Sequence, residues 1–518
     1  MDRDAVAESS GAGAGTRLLS RRSLASALAV LGAAFLACLA GASGARAQSL
    51  ASAPTLEPPP LEFPVPDPAS SATPSLGYVM LTPIRAFSRK ASFVGKPGPE
   101  ILEADGNLVW QLPLGEEVKD GDSKYEEVAM DLHTTTYRGE SVLVWWQGHI
   151  TPAGFGNGTW EIDDQHYQTI ATVKAPAGYE LDFHDIDINS NGMAYILAAR
   201  TVKADLAGCC GGPVHGALYD QVLFEVDVST GKVVWKWDPL THIPLRDSYA
   251  KVPAGKPWDP YHLNSISTGP SGNVILSSRN TWAVYWVNRA AKDNKAVLET
   301  LGGKASSFKL GPGAHFAWQH DANRAPKAEL SVFDDEAAPI EGKQSRGLLL
   351  KLDFAKRTAG EVHEYLLPKP ELAGSQGSIQ LESNGNVFVG WGQLPQFSEY
   401  TSSGQLVYEG TFTDADESYR AYRSPWTGLP VTQPTLAVAS GSGGLEVLAG
   451  WNGATQVVSW QLLAGPSASQ LAAVGSPVPK TSFRTAIAAS GAGPYYAVQA
   501  IDKGGKVLGT SSAVQAGG

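Results

Sequence analysis

From Gly77 onward the chain alternates short apolar runs with turns rich in glycine, asparagine and aspartate. Asp105-Gly106-Asn107-Leu108-Val109-Trp110, Asn191-Gly192-Met193-Ala194-Tyr195-Ile196, Gly272-Asn273-Val274-Ile275-Leu276 and Gly385-Asn386-Val387-Phe388-Val389 share one design, a tight turn followed by a β-rich run. A second design interleaves with it. Leu223-Phe224-Glu225-Val226-Asp227, Thr230-Gly231 and Lys232-Val233-Val234-Trp235 form one copy. Leu350-Lys351-Leu352-Asp353, and Ser398-Glu399-Tyr400 with Gly404-Gln405-Leu406-Val407-Tyr408, echo it. Hairpins repeated roughly every 40 to 60 residues are the mark of propeller blades. No stretch carries a long 3.6-residue apolar period, so few helices are expected. A doubled β-sandwich is the structural alternative, but the Gly-Asn turns recur too regularly to favour it.

The pattern changes near Pro434. Leu445-Glu446-Val447, Trp451-Asn452-Gly453, Val457-Val458-Ser459-Trp460 and Tyr495-Tyr496-Ala497-Val498-Gln499-Ala500 read as a separate β-sandwich over residues 435–515, its last hairpin like that of a fibronectin type III module. The repeats before it occupy residues 77–430. Residues 48–76, with Glu57-Pro58-Pro59-Pro60, form an extended linker or wrapping arm. Residues 1–47 read as an export signal: Arg17, Arg21 and Arg22, an alanine-rich run from Leu24 to Ala42, then Ala45-Arg46-Ala47. The paired arginines in Ser20-Arg21-Arg22-Ser23-Leu24 resemble a twin-arginine signal. Phe35-Leu36-Ala37-Cys38 is a poor lipoprotein box. The expected location is extracellular, periplasmic or cell-envelope associated, with membrane contact only if this segment is retained or lipidated.

Composition sharpens the picture. The 518 residues are 43% hydrophobic and 18% charged, a globular balance, and 56 glycines with 14 tryptophans suit many short packed strands. A net charge of −11 without a basic patch argues against a nucleic-acid partner. Of three cysteines, Cys38 falls in the signal, while the adjacent Cys209 and Cys210 are either a vicinal disulfide or two free loop thiols.

Three of the ten histidines stand in unusual surroundings: Leu181-Asp182-Phe183-His184-Asp185-Ile186-Asp187, Asp259-Pro260-Tyr261-His262-Leu263-Asn264-Ser265, and Phe316-Ala317-Trp318-Gln319-His320-Asp321-Ala322. Singly, each is best read as capping a turn or satisfying a buried backbone group. Equivalent placement in several blades would instead bring them together at a central channel. Arg279, in Leu276-Ser277-Ser278-Arg279-Asn280, ends a strand expected to be buried, with no acidic residue beside it in sequence. Its partner is therefore a ligand anion or a carboxylate from a distant blade. Imidazoles with an arginine and an amide suit a tetrahedral oxyanion such as sulfate. Imidazole can attack the sulfur and leave again, while cations and amides hold the equatorial oxygens.

Those residues carry a resemblance. Tyr261-His262-Leu263-Asn264-Ser265, Ser277-Ser278-Arg279, Leu301-Gly302-Gly303-Lys304 and Gln319-His320-Asp321-Ala322 resemble the PAPS-independent arylsulfotransferase family in order and spacing. So do Gly377-Ser378, Asn384-Gly385-Asn386-Val387 and Val389-Gly390-Trp391-Gly392, and the likeness runs from about Gly77 to Trp426. It implies a six-bladed β-propeller with the site at its channel, and His320 as the residue transiently sulfated. It implies further that His184 and His262 move protons to and from phenols, that Arg279 holds the sulfate, and that Asn264 lies beside it. Trp318, Trp391 and Tyr261 are candidates to stack on aryl rings, and core packing explains them equally well. The substrates implied are aryl sulfate esters and small phenols, with no cofactor and no metal. Asn280 stands where relatives carry another histidine, and Ser378 is the candidate hydroxyl ligand of the last blade.

Three rivals remain. An iron site with four histidines would take His133 as the fourth, and Arg279 beside the metal would disfavour it. A quinoprotein would need about eight blades, more than this chain provides. A non-catalytic propeller for adhesion or ligand binding is the third.

Overall fold

The computed structural model describes residues 53–516, apart from residues 54, 67–76, 87–92, 116, 121–122, 270–271, 292–295, 415, 442–443 and 490–492. The export-signal reading of residues 1–47 therefore lies outside the described residues, as does most of the linker. Among the described residues the only α-helix is Ala207–Cys210, and everything else regular is strand or single 3-10 turns. The polar turns seen in the sequence are hairpin turns. Gly192 (φ 76°) joins Glu180–Ile188 to Met193–Ala204, and Gly385 (φ 89°) joins Ser378–Leu381 to Val387–Gly390. Both need the left-handed backbone that glycine adopts at little steric cost.

Most strands fall into antiparallel sheets of four or five, and six of these follow one another before Pro434. The first strands of the six sheets are Val128–Tyr137, Glu180–Ile188, Leu263–Thr268, His320–Ala325, Ser378–Leu381 and Asp416–Ser424. Each touches the next, and Asp416–Ser424 returns to Val128–Tyr137, so the six inner strands close a ring. Apolar side chains fill the spaces between sheets. Trp146, Trp160, Ile196 and Phe224 share one cluster, for example, and Ile275, Trp286, Leu330 and Leu350 another. Two sheets are completed from the N-terminal side: Leu61–Val65 pairs with Leu406–Phe412, and Tyr78–Arg85 pairs with Asp416–Ser424. Such closure joins chain segments from the two ends of the ring at the cost of closing a long loop.

Beyond Pro434, Thr435–Gly441, Gly444–Gly450 and Thr485–Ala488 form one sheet. Ser459–Ser467, Gln470–Pro479, Tyr495–Ile501, Val507–Thr510 and Val514–Gln515 form another. The two share a core that includes Val447, Ile487, Trp460, Leu462 and Val498. This region is fastened to the ring by specific bonds. Asn452 donates from Nδ2 to the Gln111 carbonyl (2.9 Å) and accepts from the Gln111 N–H (3.1 Å), Tyr167 donates to the Gly453 carbonyl, and Lys480 pairs with Glu103.

The inner strands are irregular at one level. Their pairing slips between Met130 and His133, Leu181 and Ile186, Leu263 and Ser265, and His320 and Asn323. In the closing strand the slip falls between Ser418 and Ala421. A bulge re-aims side chains that a regular strand would bury between sheets. Asp131 (φ 60°), His262 (φ 52°) and Asp321 (φ 49°) take left-handed conformations at or beside these slips, and Gln376 (φ 74°) does so just before the regular strand Ser378–Leu381, each costing about 1–3 kcal/mol that the surrounding sheets must hold.

Candidate active site

The bulges bring the three sequence-predicted histidines together. The rings of His184 and His262 lie 4.6 Å apart, and those of His262 and His320 lie 6.5 Å apart. One ring nitrogen of each lies within 4.8 Å of the other two. His184 and His320 are buried, while His262 keeps 14% of its side chain exposed.

Every ring is held in the same way, by a carboxylate on Nδ1. Asp182 grips His184 at 2.8 Å, Asp259 grips His262 at 2.6 Å, and Asp335 grips His320 at 2.8 Å. The carboxylates are themselves fixed. Asp182 accepts from Gln221 Nε2 and from the Gly156 N–H, and Asp259 accepts from the His262 N–H. A carboxylate on Nδ1 makes that nitrogen the donor and leaves Nε2 with its lone pair. For His320 a second bond agrees, because the Gln376 backbone N–H donates to Nε2 (3.3 Å). Three lone pairs thus converge. Burial first, then the Arg279 charge, holds His320 well below the usual histidine range, so its ring is neutral. Burial also lowers His184, with Asp182 opposing it, and burial pushes Asp335 up against the pull of Arg279.

Arg279 is pinned beside this cluster. Its N–H donates to the His262 carbonyl (3.0 Å) and the Asn280 N–H donates to the Tyr261 carbonyl (2.9 Å). Its guanidinium sits 4.9 Å from the Trp318 ring centre and donates to the Gly374 carbonyl (3.0 Å) and to Asn280 Oδ1 (3.2 Å). Nε is wholly buried and has no partner, and among the described residues no carboxylate forms an ion pair with Arg279. A cavity of about 560 Å³ opens above it, lined by Arg279, Asn280, Asp259, Tyr219, Trp258 and Trp318. An anion entering there meets a cation with unused donor capacity next to three imidazoles.

The remaining sequence candidates separate. Trp318 lines the cavity. Tyr261 is buried in a core cluster with its hydroxyl on the Ile243 carbonyl (2.5 Å), and Trp391 is buried against Phe333 with Nε1 on Ser398 (3.1 Å). Asn264 is fully buried, donates to the Gln319 carbonyl (2.7 Å), and keeps Oδ1 unpartnered. Ser378 bonds the Ala421 backbone. His133 stands apart, its Nδ1 on the Asp131 carbonyl, in a second cavity of about 1030 Å³ where the inner strands end. The four-histidine iron site thus lacks its fourth ligand. Cys209 and Cys210 form a vicinal disulfide on the short helix.

Sequence reasoning missed Asp335, Gln376 and Arg420. Arg420 is buried on the closing strand and faces Asp131 (3.3 Å), Asp185 (3.3 Å) and Asp321 (3.7 Å), while donating to the Asn264 carbonyl (2.8 Å). It thereby ties together inner strands of four other sheets, and its neighbour Tyr419 donates to the His184 carbonyl (3.1 Å).

Among solved structures, the chain is similar to a protein of unknown function from Bacteroides caccae (13% identity, 67% of this chain and 98% of that chain, TM-score 0.38). It is also similar to a catalytically inactive virginiamycin B lyase from Staphylococcus aureus with quinupristin (9% identity, 75% and 95% covered, TM-score 0.30). No curated protein matches the chain. The family model described as Arylsulfotransferase (ASST) matches residues 133–413, more than half of the chain, including the three histidines, their aspartates and Arg279. The chain belongs to the arylsulfotransferase family.

Proposed function

We propose that this protein transfers a sulfuryl group from an aryl sulfate ester to a phenol, without PAPS, through a sulfated His320. The observation that carries the reading is the pairing, among the described residues, of a neutral imidazole, whose Nε2 bears the lone pair and accepts only a long 3.3 Å bond from the Gln376 N–H, with an arginine that forms no carboxylate ion pair. His320 Nε2 attacks the sulfur, and the bond from sulfur to the aryl oxygen breaks. In this half His262, the most exposed of the three rings, carries a proton on Nε2 as well as on Nδ1. The departing phenolate takes the Nε2 proton and leaves that nitrogen its lone pair, with His184 behind it. In the second half the acceptor phenol gives its proton back to that histidine, its oxygen attacks the sulfur, and the bond from sulfur to His320 breaks. Arg279 neutralises the sulfuryl oxygens while charge shifts, and Trp318 with Trp258 flanks the aryl ring. Asp335 fixes the tautomer and steadies positive charge on the ring during attack, as the carboxylate does in serine hydrolase triads.

We read the ring of six sheets as a six-bladed propeller spanning residues 77–430, and the C-terminal sheets as a fibronectin type III-like sandwich. Residues 1–47 fit an export signal, so the enzyme would act outside the cytoplasm. The test is the protein mixed with 4-nitrophenyl sulfate and a second phenol. Nitrophenol release should depend on the acceptor and vanish in His320→Ala. Silence across a broad panel of donors and acceptors, from folded protein, would favour a binding propeller instead.

A further inference from the structure

We infer that the same three histidines form a site for a divalent late transition metal, zinc above all, and that zinc bound there shuts off sulfuryl transfer. The inhibition rests on the function proposed above, but the binding does not. Each imidazole has Nδ1 on a carboxylate, which leaves Nε2 as its ligand atom, the arrangement by which proteins orient and strengthen zinc-binding histidines. On His320 zinc would displace the 3.3 Å bond from the Gln376 N–H. One ring nitrogen of each lies within 4.8 Å of the other two, whereas zinc bonded to imidazoles at about 2.0–2.1 Å holds them about 3.4 Å apart, so the cluster must tighten by up to about 1.4 Å. His262 is the arm suited to supply that movement. It precedes its strand rather than lying within it, and it keeps 14% of its side chain exposed where the other two rings are buried.

The partners of the three rings suit a cation despite Arg279. Asp182, Asp259 and Asp335 stand directly behind the rings, and the nearby Arg420 is engaged by Asp131, Asp185 and Asp321. The 560 Å³ cavity lies next to the cluster, lined by Asp259 and Arg279 that hold and flank His262, and gives solvent access close to it. Imidazole donors select zinc, copper or nickel and leave magnesium and calcium unbound. A metal on His320 Nε2 occupies the lone pair that must attack sulfur, so zinc and an aryl sulfate exclude one another.

The experiment is a calorimetric titration of zinc chloride into EDTA-stripped, dialysed full-length protein. No reductant is present, so the Cys209–Cys210 pair stays oxidised. A single zinc per chain is expected, with no heat from magnesium chloride. His262→Ala and His320→Ala should abolish binding. Asp335→Asn, which leaves all three ligands in place, should weaken it by about 10- to 100-fold. Turnover of 4-nitrophenyl sulfate should fall with the same zinc midpoint and return on adding EDTA. Zinc binding that survives both histidine substitutions, or no stoichiometric binding at all, would overturn the site. Full turnover in zinc-saturated protein would overturn the inhibition. Histidine-dependent zinc binding by a protein that turns over no sulfate ester would leave the metal site standing and remove the sulfuryl-transfer reading.

Discussion

Two arginines near the channel have opposite surroundings. Arg420, at the centre, is enclosed by Asp131, Asp185 and Asp321, the Asn264 carbonyl and the Tyr422 hydroxyl. Arg279, at the mouth, has a carbonyl, an amide oxygen and an aromatic face, and among the described residues no carboxylate pairs with it directly. A buried guanidinium with matched carboxylates is part of the scaffold, because removing it leaves uncompensated charge behind. A guanidinium left with neutral partners keeps its charge available for something that arrives from solvent. The pair separates what holds the channel together from what the channel is for.

The sharpest way to break that distinction is through the group that holds the proposed nucleophile, His320. Asp335→Asn places an amide on His320 Nδ1, moves the ring proton to Nε2 and should cut turnover by about 10⁴-fold. Circular dichroism and melting temperature should change little. Next comes Arg420→Met, which strands three carboxylates and should cost about 3–5 kcal/mol of stability, read by urea unfolding. Arg279→Met should do the reverse, lowering kcat/KM for the aryl sulfate by about 10²–10³-fold with stability unchanged or raised. Equal stability losses from the two arginine variants would erase the comparison.

The smallest effect is one of pH on stability. Burial raises Asp163 to about 6, Asp416 and Asp334 to about 7, and Asp185 and Glu382 to about 8. A carboxyl with a raised folded value binds a proton that the unfolded chain has already released. Its contribution is therefore full below the ordinary carboxylate range and is lost as pH rises through 6 to 8. The melting temperature should fall steadily over that interval, and in Arg420→Met it should fall more steeply, because Asp185 loses its cation.

Much of this was legible in the sequence. Hairpins such as Asn191-Gly192-Met193 declare themselves because the turn chemistry and the apolar run are adjacent in the chain. His184, His262, His320 and Arg279 were identified because each interrupts an apolar context with a polar group. Asp335 could not be found in this way, since it reaches His320 only across a hairpin in which Phe333 pairs with His320. Gln376 acts through a backbone N–H that no side-chain pattern reveals. Arg420 lies in the polar and aromatic stretch Glu417-Ser418-Tyr419-Arg420-Ala421-Tyr422-Arg423, which gives no sign of burial. Only the fold shows that it meets carboxylates where Arg279, among the described residues, does not. Tyr261 and Trp391 teach the converse. An aromatic residue beside a motif is more often packing it than facing its ligand, and both are buried under their sheets.

The closing strand Asp416–Ser424 has a meaning for the timing of assembly. It is among the last parts of the ring to be synthesised, it pairs with Tyr78–Arg85 from the beginning, and it delivers Arg420 to carboxylates from three earlier sheets. Until it docks, Asp131, Asp185 and Asp321 repel one another across an open channel, and His184 lacks the Tyr419 bond. Long-range pairings of this kind make folding slow and late. A chain truncated before Asp416 is therefore a ring that cannot lock, and the histidine cluster becomes competent only when the whole ring has been synthesised and closed.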